Sequence, residues 1–272
     1  MPDPLPADLA AALAGAAPRL GAFRVAEYFD EIGSTNDVAL KRAGLGAPHG
    51  TVILADAQVS GRGRQGRAWF SPPGSGVYLS AIVRQESWAG ALSLVTLAAG
   101  VAVARGLSKA SGLSLELKWP NDVVIGRPWR KIAGILSESA SAGPRIDAVV
   151  VGIGINVRVS AFPPDIADRA TALEKESYRP VDVSACIVEV LAALSDITEQ
   201  LAGGNRAAIV DAWRHFARPG LAGAAVRWSD EHGTRRGLAA DVDETGALLV
   251  MVGDRIERVV AGEVQWERLS RE

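Results

Sequence analysis

Apolar and polar positions follow two different patterns along this chain. From residue 24 to residue 218, aliphatic and β-branched runs alternate with stretches of helical periodicity, which predicts a central mixed β-sheet with helices on it. Beyond Pro219-Gly220 the pattern changes to short β runs separated by turns, which predicts a small β-barrel. The predicted fold class is therefore α+β, with the barrel at the C-terminal end.

The individual elements follow from the same pattern. Strands are predicted at residues 24–29, 51–58, 76–83, 113–118, 123–125, 131–138 and 146–152, and in the last part at 225–228, 235–242, 247–252 and 255–260. Helices are predicted at residues 8–15, 34–43, 89–110, 181–201 and 205–217, with Ser34 and Asn205 as caps. Residues 126–128 are expected to join two of the strands as a hairpin turn.

Composition and charge are those of an ordinary globular protein. The chain has 272 residues, 48% of them apolar, and a formal charge of −2, whereas a non-specific binder of polyanions is usually basic. A single cysteine, Cys186, excludes an internal disulfide framework and a cysteine-based zinc site. We find no signal-peptide pattern and no apolar run of the about 20 residues that cross a bilayer, so we expect a cytoplasmic protein with no membrane partner.

The loop at residues 60–71 is the most informative stretch for chemistry. Three glycines alternate there with Arg62, Arg64 and Arg67, next to Trp69, and the loop follows a predicted buried strand. Glycines let the backbone approach a ligand, and arginine is a permanent cation with a planar fork. The loop is therefore predicted to bind an anion.

Two other interpretations of this loop need to be considered. Its glycines fit the dinucleotide pattern G-x-G-x-x-G, and Glu86 stands where such a site has its ribose-binding acid. That fold needs a helix to begin inside the motif, and Pro72-Pro73 oppose one. The second alternative is a solvated surface turn, which the regular alternation of arginine and glycine makes a poor explanation.

Two further motifs carry charged and amide groups. Residues 118–122 read Lys-Trp-Pro-Asn-Asp, so a predicted strand runs into a turn that holds polar side chains at its end. Asp122 could orient an amine or hold a metal ion. Lys131 begins the apolar run 132–136, and either Lys131 or its neighbour Arg130 could be the solvated one.

Taken together, these residues resemble the biotin protein ligases from about Gly33 to the C-terminus. Five ordered motifs carry the resemblance: Ser34-Thr35-Asn36, Gln58 with the loop 61–67, residues 118–122, Lys131 within Lys-Ile-Ala-Gly-Ile-Leu, and residues 152–156 (Gly-Ile-Gly-Ile-Asn). Many members of the family carry an N-terminal helix-turn-helix. Residues 1–23 are too few for such a module, so we expect the form without it and no DNA partner.

The resemblance implies an activity and a set of domains. The family makes biotinyl-5′-AMP from biotin and ATP, with Mg²⁺ expected alongside ATP, and then transfers biotin to one lysine of a biotin carboxyl carrier domain of an acyl-CoA carboxylase. The domains expected on this basis are an N-terminal extension (1–22), a catalytic biotin- and ATP-binding domain (23–218) and an SH3-like barrel (219–272). The sequence identifies no metal ligands.

The resemblance also implies roles for particular residues. Lys131, Arg64 and Asp122 are expected to be catalytic. The biotin-binding residues are expected to be Ser34, Thr35, Asn36, Gln58, Arg62, Gly63, Arg64 and Lys131, and those that bind ATP or the adenylate Arg64, Arg67, Trp69, Lys118, Asn121 and Asn156. For Trp69, closure over the ligand and simple packing at the base of the loop both stay open. A lipoate or octanoate ligase or transferase of the same fold is the alternative function, and a nucleic-acid-binding module is a remote one.

Overall fold

The computed structural model describes residues 1–84, 92–141, 146–159, 162–230, 233–260 and 264–267. A seven-stranded sheet forms its centre. Its strands are β1 (Val25–Ile32), β2 (Thr51–Gln58), β3 (Gly76–Val83), β4 (Glu116–Lys118), β5 (Asp122–Ile125), β6 (Arg130–Ser141) and β7 (Ile146–Asn156). They lie in the order β1-β2-β3-β7-β6-β5-β4; β1 and β2 are parallel, and the other neighbours are antiparallel.

Six helices accompany the strands in the described part of the chain. They are α1 (Ala7–Ala16), α2 (Thr35–Gly44), α3 (Leu92–Ser111), α4 (Leu173–Ser177), α5 (Val183–Ala202) and α6 (Arg206–Leu221). The sheet is apolar on both faces, because α3 and α5 cover one side and α2 covers the other. Alternate residues of β2 accordingly enter two different cores, with Val52 and Leu54 on the α3 side and Ile53 on the α2 side.

Helix α3 lies at the centre of the larger core. Among the described residues it is the one helix whose length and composition would suit a membrane span, but 67% of its most apolar window is buried within the protein. It packs against α5, α6 and the sheet. Its apolar sequence is therefore explained by burial in the core.

A second, antiparallel sheet forms the C-terminal part. Its strands are β8 (Ala225–Asp230), β9 (Gly233–Val242), β10 (Leu248–Val252), β11 (Arg255–Val259) and β12 (Gln265–Trp266), in the order β11-β10-β9-β8-β12. The predicted α+β class with a separate small β unit is confirmed. The exact domain boundaries stay predictions.

Most predicted elements are present, and the differences have local reasons. Strand β4 begins at Glu116 rather than Leu113, and α6 continues through Pro219 to Leu221, although we predicted its end near Ala217. A proline in the last turn removes one hydrogen bond, and burial of Gly220 keeps that turn packed. The short elements α4 and β12 were not predicted, and the predicted start of α3 falls at residues outside the described ranges.

The predicted caps are only partly correct. Ser34 and Asn205 occupy the N-cap positions of α2 and α6, but neither side chain makes a capping hydrogen bond. The side chain of Asp182 instead caps α5, accepting from the backbone N–H of Ala185 at 3.2 Å. Ser34 is 3% exposed and directly precedes Thr35, a member of the polar cluster described next.

Candidate active site

The arginine loop is a small hairpin rather than the start of a helix. Gly63 N–H donates to the Arg67 carbonyl at 2.7 Å, Trp69 N–H donates to the Gly61 carbonyl at 2.8 Å, and a 3-10 turn over Arg64–Gly66 forms the tip. The next regular element is β3, so no helix follows the motif. A dinucleotide site of the G-x-G-x-x-G type lacks its helix here. Glu86, its candidate acid, lies outside the described residues.

Gln58 attaches this loop to the start of α2. Its Oε1 accepts from the Thr35 backbone N–H at 2.9 Å, and its Nε2 donates to Ser71 Oγ at 2.9 Å. The Ser71 hydroxyl in turn donates to the Trp69 carbonyl at 3.0 Å. One amide side chain therefore fixes the distance between α2 and the end of the loop.

A fully buried hydrogen-bonded cluster lies between α2 and the sheet. Ser80 Oγ contacts Thr35 Oγ1 at 2.8 Å and Asn36 Oδ1 at 2.5 Å, and all three residues are less than 5% exposed. Asn36 Nδ2 donates to the Leu136 carbonyl at 3.4 Å and to Glu138 Oε2 at 2.7 Å. These groups are neutral apart from Glu138, so the cluster suits a ligand that presents uncharged donors and acceptors.

Arg62 lies against two carboxylates. It makes a two-pronged contact with Glu138, with Nη1–Oε1 at 3.1 Å and Nη2–Oε2 at 3.0 Å, and Nη2 also lies 2.6 Å from Asp37 Oδ1. The Arg62 side chain is 38% exposed, so these pairs are partly solvated. Such pairs are weak, and an anionic ligand could replace one at little cost.

Lys131 and Asp122 form the second charged group of the site. Lys131 Nζ lies 2.5 Å from Asp122 Oδ1 and 5.2 Å from the centre of the Trp69 ring. Arg130, the alternative cation, turns away and pairs with Glu176 at 2.9 Å. Of the two neighbouring cations, the structure therefore brings Lys131 to the loop.

The Trp69 ring rests on two glycines of neighbouring strands. A Cβ on Gly154 would lie 2.3 Å from Trp69 Cε2, and one on Gly134 would lie 3.0 Å from Trp69 Cζ3. Both strand positions therefore need to be glycine for the ring to lie flat here. The ring nitrogen Nε1 is buried against Gly154 and has no hydrogen-bond partner among the described groups.

The 118–122 turn and the end of β7 hold the rest of the site in place. Asn121 Nδ2 donates to the Ile135 carbonyl at 2.8 Å, and its Oδ1 lies at the long distance of 3.5 Å from Arg64 Nη1. Asn156 Nδ2 donates to the Thr171 carbonyl at 3.0 Å and approaches the Lys131 carbonyl at 3.4 Å. Lys118 is the register partner of Asp122 across β4 and β5, and Arg67 lies on the exposed arm of the loop hairpin.

A metal ion would be held by clustered acidic, histidine or cysteine side chains. Among the described residues no group of three or more His, Cys, Asp or Glu side chains could hold a metal ion. Mg²⁺ often binds through one or two carboxylates together with substrate phosphates, an arrangement that does not need such a group.

Sequence reasoning missed Glu138 and Ser80. Ser80 interrupts the apolar run Val77 to Val83 in β3, whereas Glu138 stands between Ser137 and Ser139 in the polar second half of β6. Since a polar group in an apolar central strand needs a partner, the interruption at Ser80 was an available signal, and Glu138 had no such signal. Asn36, the hydrogen-bond partner of both residues, was identified from the Ser-Thr-Asn motif and not from these hydrogen bonds.

Comparison with known proteins places the chain among one kind of enzyme. Residues 28–156 match the biotin/lipoate A/B protein ligase family, and residues 223–266 match the biotin protein ligase C terminal domain. The biotin–[acetyl-CoA-carboxylase] ligase of Mycobacterium tuberculosis is 33% identical over 252 residues, which cover 89% of each chain. The bifunctional ligase/repressor BirA of Bacillus subtilis is 32% identical over 240 residues, 88% of this chain and 73% of that protein.

A solved structure gives the same result. The biotin protein ligase of Aquifex aeolicus, in complex with biotin and ATP, superposes with a TM-score of 0.78 at 27% identity, covering 90% of this chain and all of that one (100%).

Proposed function

The chain belongs to the biotin protein ligase family, and on that premise we propose which of its residues carry each step of the reaction. It is an enzyme that uses ATP to attach biotin to a carboxylase. The observation that carries the assignment of residues is the meeting of Lys131, Asp122 and Trp69 beside the arginine loop. In further support, Arg62 is a cation beside the neutral polar cluster, because its partner Glu138 also accepts from Asn36. Two substrates of different character require both kinds of group.

The first step joins two anions. A carboxylate oxygen of biotin attacks the α-phosphorus of ATP, the bond between the α-phosphorus and the bridging oxygen breaks, and pyrophosphate leaves with that oxygen. The reacting anions repel each other unless cations lie between them. We assign this charge to Arg62, Arg64 and Lys131, and Arg67 to the phosphates, because arginine forks match carboxylate and phosphate oxygens.

The neutral ring of biotin requires neutral partners. Ser34, Thr35, Asn36 and Gln58 supply hydroxyl and amide groups at the buried end of the site, and Gly63 lets the loop backbone come close. Burial of these groups strengthens each hydrogen bond that a ligand completes. A ligand without matching donors and acceptors would leave them unpaired, and this is a basis for selecting biotin over lipoate.

Trp69 supplies an aromatic wall to the site. Its ring lies over Gly134 and Gly154, next to Lys131. We assign the ring to the adenylate, whose base can stack on it, and Lys118, Asn121 and Asn156 to the surrounding support. Exclusion of water by this wall protects the mixed anhydride from hydrolysis.

In the second step a lysine amine of the partner attacks the carbonyl carbon of biotinyl-AMP. The bond from that carbon to the phosphate oxygen breaks, AMP leaves, and the amine loses a proton. We assign Asp122 to guiding the amine, since its carboxylate already lies against one ammonium, that of Lys131. ATP has activated the acyl group, so a nucleophilic side chain of the enzyme is not needed.

Further features of the proposal concern partners. Mg²⁺ would bind with the ATP phosphates and neutralise part of their charge. The acceptor is a biotin carboxyl carrier domain, the protein works in the cytoplasm, and DNA is not a partner.

The test is pyrophosphate release by the purified chain. We expect release that depends on biotin, ATP and Mg²⁺ together, followed by a mass increase of one biotinyl group on a carrier domain. Release with lipoate in place of biotin would overturn the substrate assignment. Duplex DNA is the negative control, and tight binding that weakens steeply with salt would contradict the assignment of partners.

A further inference from the structure

Glu138 is the carboxylate at which the arginine loop meets the buried polar cluster. It lies in β6, its side chain is 26% exposed, and its two oxygens take three hydrogen bonds. Arg62 donates twice, at 3.1 and 3.0 Å, and Asn36 Nδ2 donates to Oε2 at 2.7 Å. One side chain thus holds a cation of the loop and a 3% exposed amide of α2 at the same time.

Glu138, with the more distant Leu136 carbonyl, determines which way the Asn36 amide points. A carboxylate only accepts hydrogen bonds, so the amide nitrogen must face it and the amide oxygen must face Ser80. Ser80 then donates its single proton to Asn36 Oδ1 at 2.5 Å, so its oxygen is left as an acceptor towards Thr35 Oγ1 at 2.8 Å. Thr35 Oγ1 also lies 3.2 Å from Gln58 Oε1, so the Thr35 proton goes to one of these two acceptors. The order of donors and acceptors in the cluster therefore starts at Glu138.

This order has a consequence at the ligand. Whether the Thr35 hydroxyl donates to Ser80 or to Gln58, its oxygen keeps lone pairs for an N–H group of the ligand ring. Reversal of the Asn36 amide would place its oxygen against a carboxylate and reverse the proton of Ser80. Thr35 would then receive that proton and lose an acceptor site.

We propose that Glu138 is a positioning residue of the biotin site, which sets this donor and acceptor order and holds Arg62 against α2. It does so without touching biotin. The inference rests on the proposed function, because the same Thr35, Asn36 and Arg62 are assigned to biotin there. Asp37 offers a matched comparison, since it also pairs with Arg62, at 2.6 Å, but has a more exposed side chain (56%).

The experiment measures biotin binding by calorimetry without ATP, and the KM for ATP separately. Glu138→Gln should raise the biotin Kd by about tenfold or more, because it weakens the charged hydrogen bonds and leaves the long contact of 3.4 Å with the Leu136 carbonyl to orient the Asn36 amide. The KM for ATP should stay within about twofold of wild type, because Glu138 is proposed to position groups of the biotin site and not of the ATP site. Asp37→Asn should raise the biotin Kd by less than about threefold, as an exposed pair contributes little.

A charge exchange gives a second, independent measurement. Asn36→Asp alone sets two carboxylates face to face and should bind biotin poorly. The double variant Asn36→Asp with Glu138→Gln restores one donor and one acceptor across the pair, and should recover most of the lost affinity. Recovery is a result that loss of packing alone would not produce.

The outcomes separate the two proposals. Wild-type protein that fails to bind biotin would contradict the proposed function. Wild type that binds biotin, together with Glu138→Gln that binds it equally well, would overturn the role of Glu138 alone. Thermal melts accompany each variant; if none of the Glu138 variants folds, the residue serves stability and the positioning role is overturned.

Discussion

At the scale of the residue, three cations of the site each lie against one or two side chains that carry oxygen. Arg62 has Glu138 and Asp37, Lys131 has Asp122, and Arg64 approaches Asn121. The three ion pairs are partly exposed, so each holds its side chain in place yet contributes at most about 1 kcal/mol. A carboxylate or phosphate of a substrate can therefore replace these partners, and the cations are pre-oriented before it arrives.

Loss of the Lys131 side chain should lower the activity while leaving the fold intact. Lys131→Ala should lower biotin-dependent pyrophosphate release by about a hundredfold or more, because one cation that stabilises the transition state is removed. The fold should persist, since the ion pair with Asp122 is partly exposed. The matched control is Arg130→Ala, which breaks the pair with Glu176 and should keep most of the activity. If the control loses activity and Lys131→Ala does not, the role belongs to Arg130.

At the scale of the element, polar turns hold the strand ends in place. The turn between β9 and β10 is organised by one carboxylate: Asp243 Oδ1 accepts from Thr245 N–H at 2.9 Å, from Thr245 Oγ1 at 2.7 Å and from Ala247 N–H at 3.1 Å. Arg258 Nε lies 2.6 Å from Oδ2. Burial alone would raise the pKa of Asp243, but the hydrogen bonds from Thr245, Arg258 and Ala247 outweigh it and lower the pKa to about 2.

The lowered pKa predicts an acid-sensitive contribution to stability. Because the pKa in the folded state lies below the unfolded value of 3.8, the contribution is complete above pH 5 or so and is lost as pH falls through 4 towards about 2. Urea unfolding at pH 6 and pH 3 should show wild type losing about 1 kcal/mol more than Asp243→Asn over that interval. Equal losses in the two proteins would exclude Asp243 as the titrating group.

At the scale of the whole molecule, tryptophans join the two sheets. Trp119 Nε1 donates to the Gly246 carbonyl in the β9–β10 turn at 3.0 Å, and Trp266 Nε1 donates to the Trp119 carbonyl at 3.2 Å. Trp129 meets Trp266 edge to face, with ring centres 5.5 Å apart. Since Trp119 stands between Lys118 and the Asn121-Asp122 pair, the small sheet supports the turn that carries site residues.

Trp119→Phe should therefore loosen the joint between the two sheets. Trp119 is 2% exposed, and its loss leaves the Gly246 carbonyl without this donor, a change of about 1–3 kcal/mol. We expect a lower Tm and faster proteolysis in the connection between α6 and β8. Trp213→Phe, at a 1% exposed position in α6, is the control: it should lower the Tm similarly without selective cleavage there. Cleavage that matches wild type in Trp119→Phe would contradict the supporting role.

Sequence alone determined much of this protein. Strands β2 and β3 have the predicted bounds, because a continuous apolar run between turn residues suits a strand covered on both faces. Prolines after the arginine loop excluded the dinucleotide helix, and ordered motifs identified the family. These conclusions depend on residues near each other in the chain, for which local preferences decide the structure.

Tertiary structure alone decided the pairings. Glu138 is 76 residues from Arg62 and 102 from Asn36, and Trp119 is 127 residues from Gly246, so no local pattern links them. For Lys131 and Arg130, the resemblance had already assigned the catalytic role to Lys131, and the fold added their partners, Asp122 for Lys131 and Glu176 for Arg130. The physical reason is that burial makes an unpaired polar group costly, and the partner that removes the cost is whichever group the packed sheet brings within hydrogen-bonding distance.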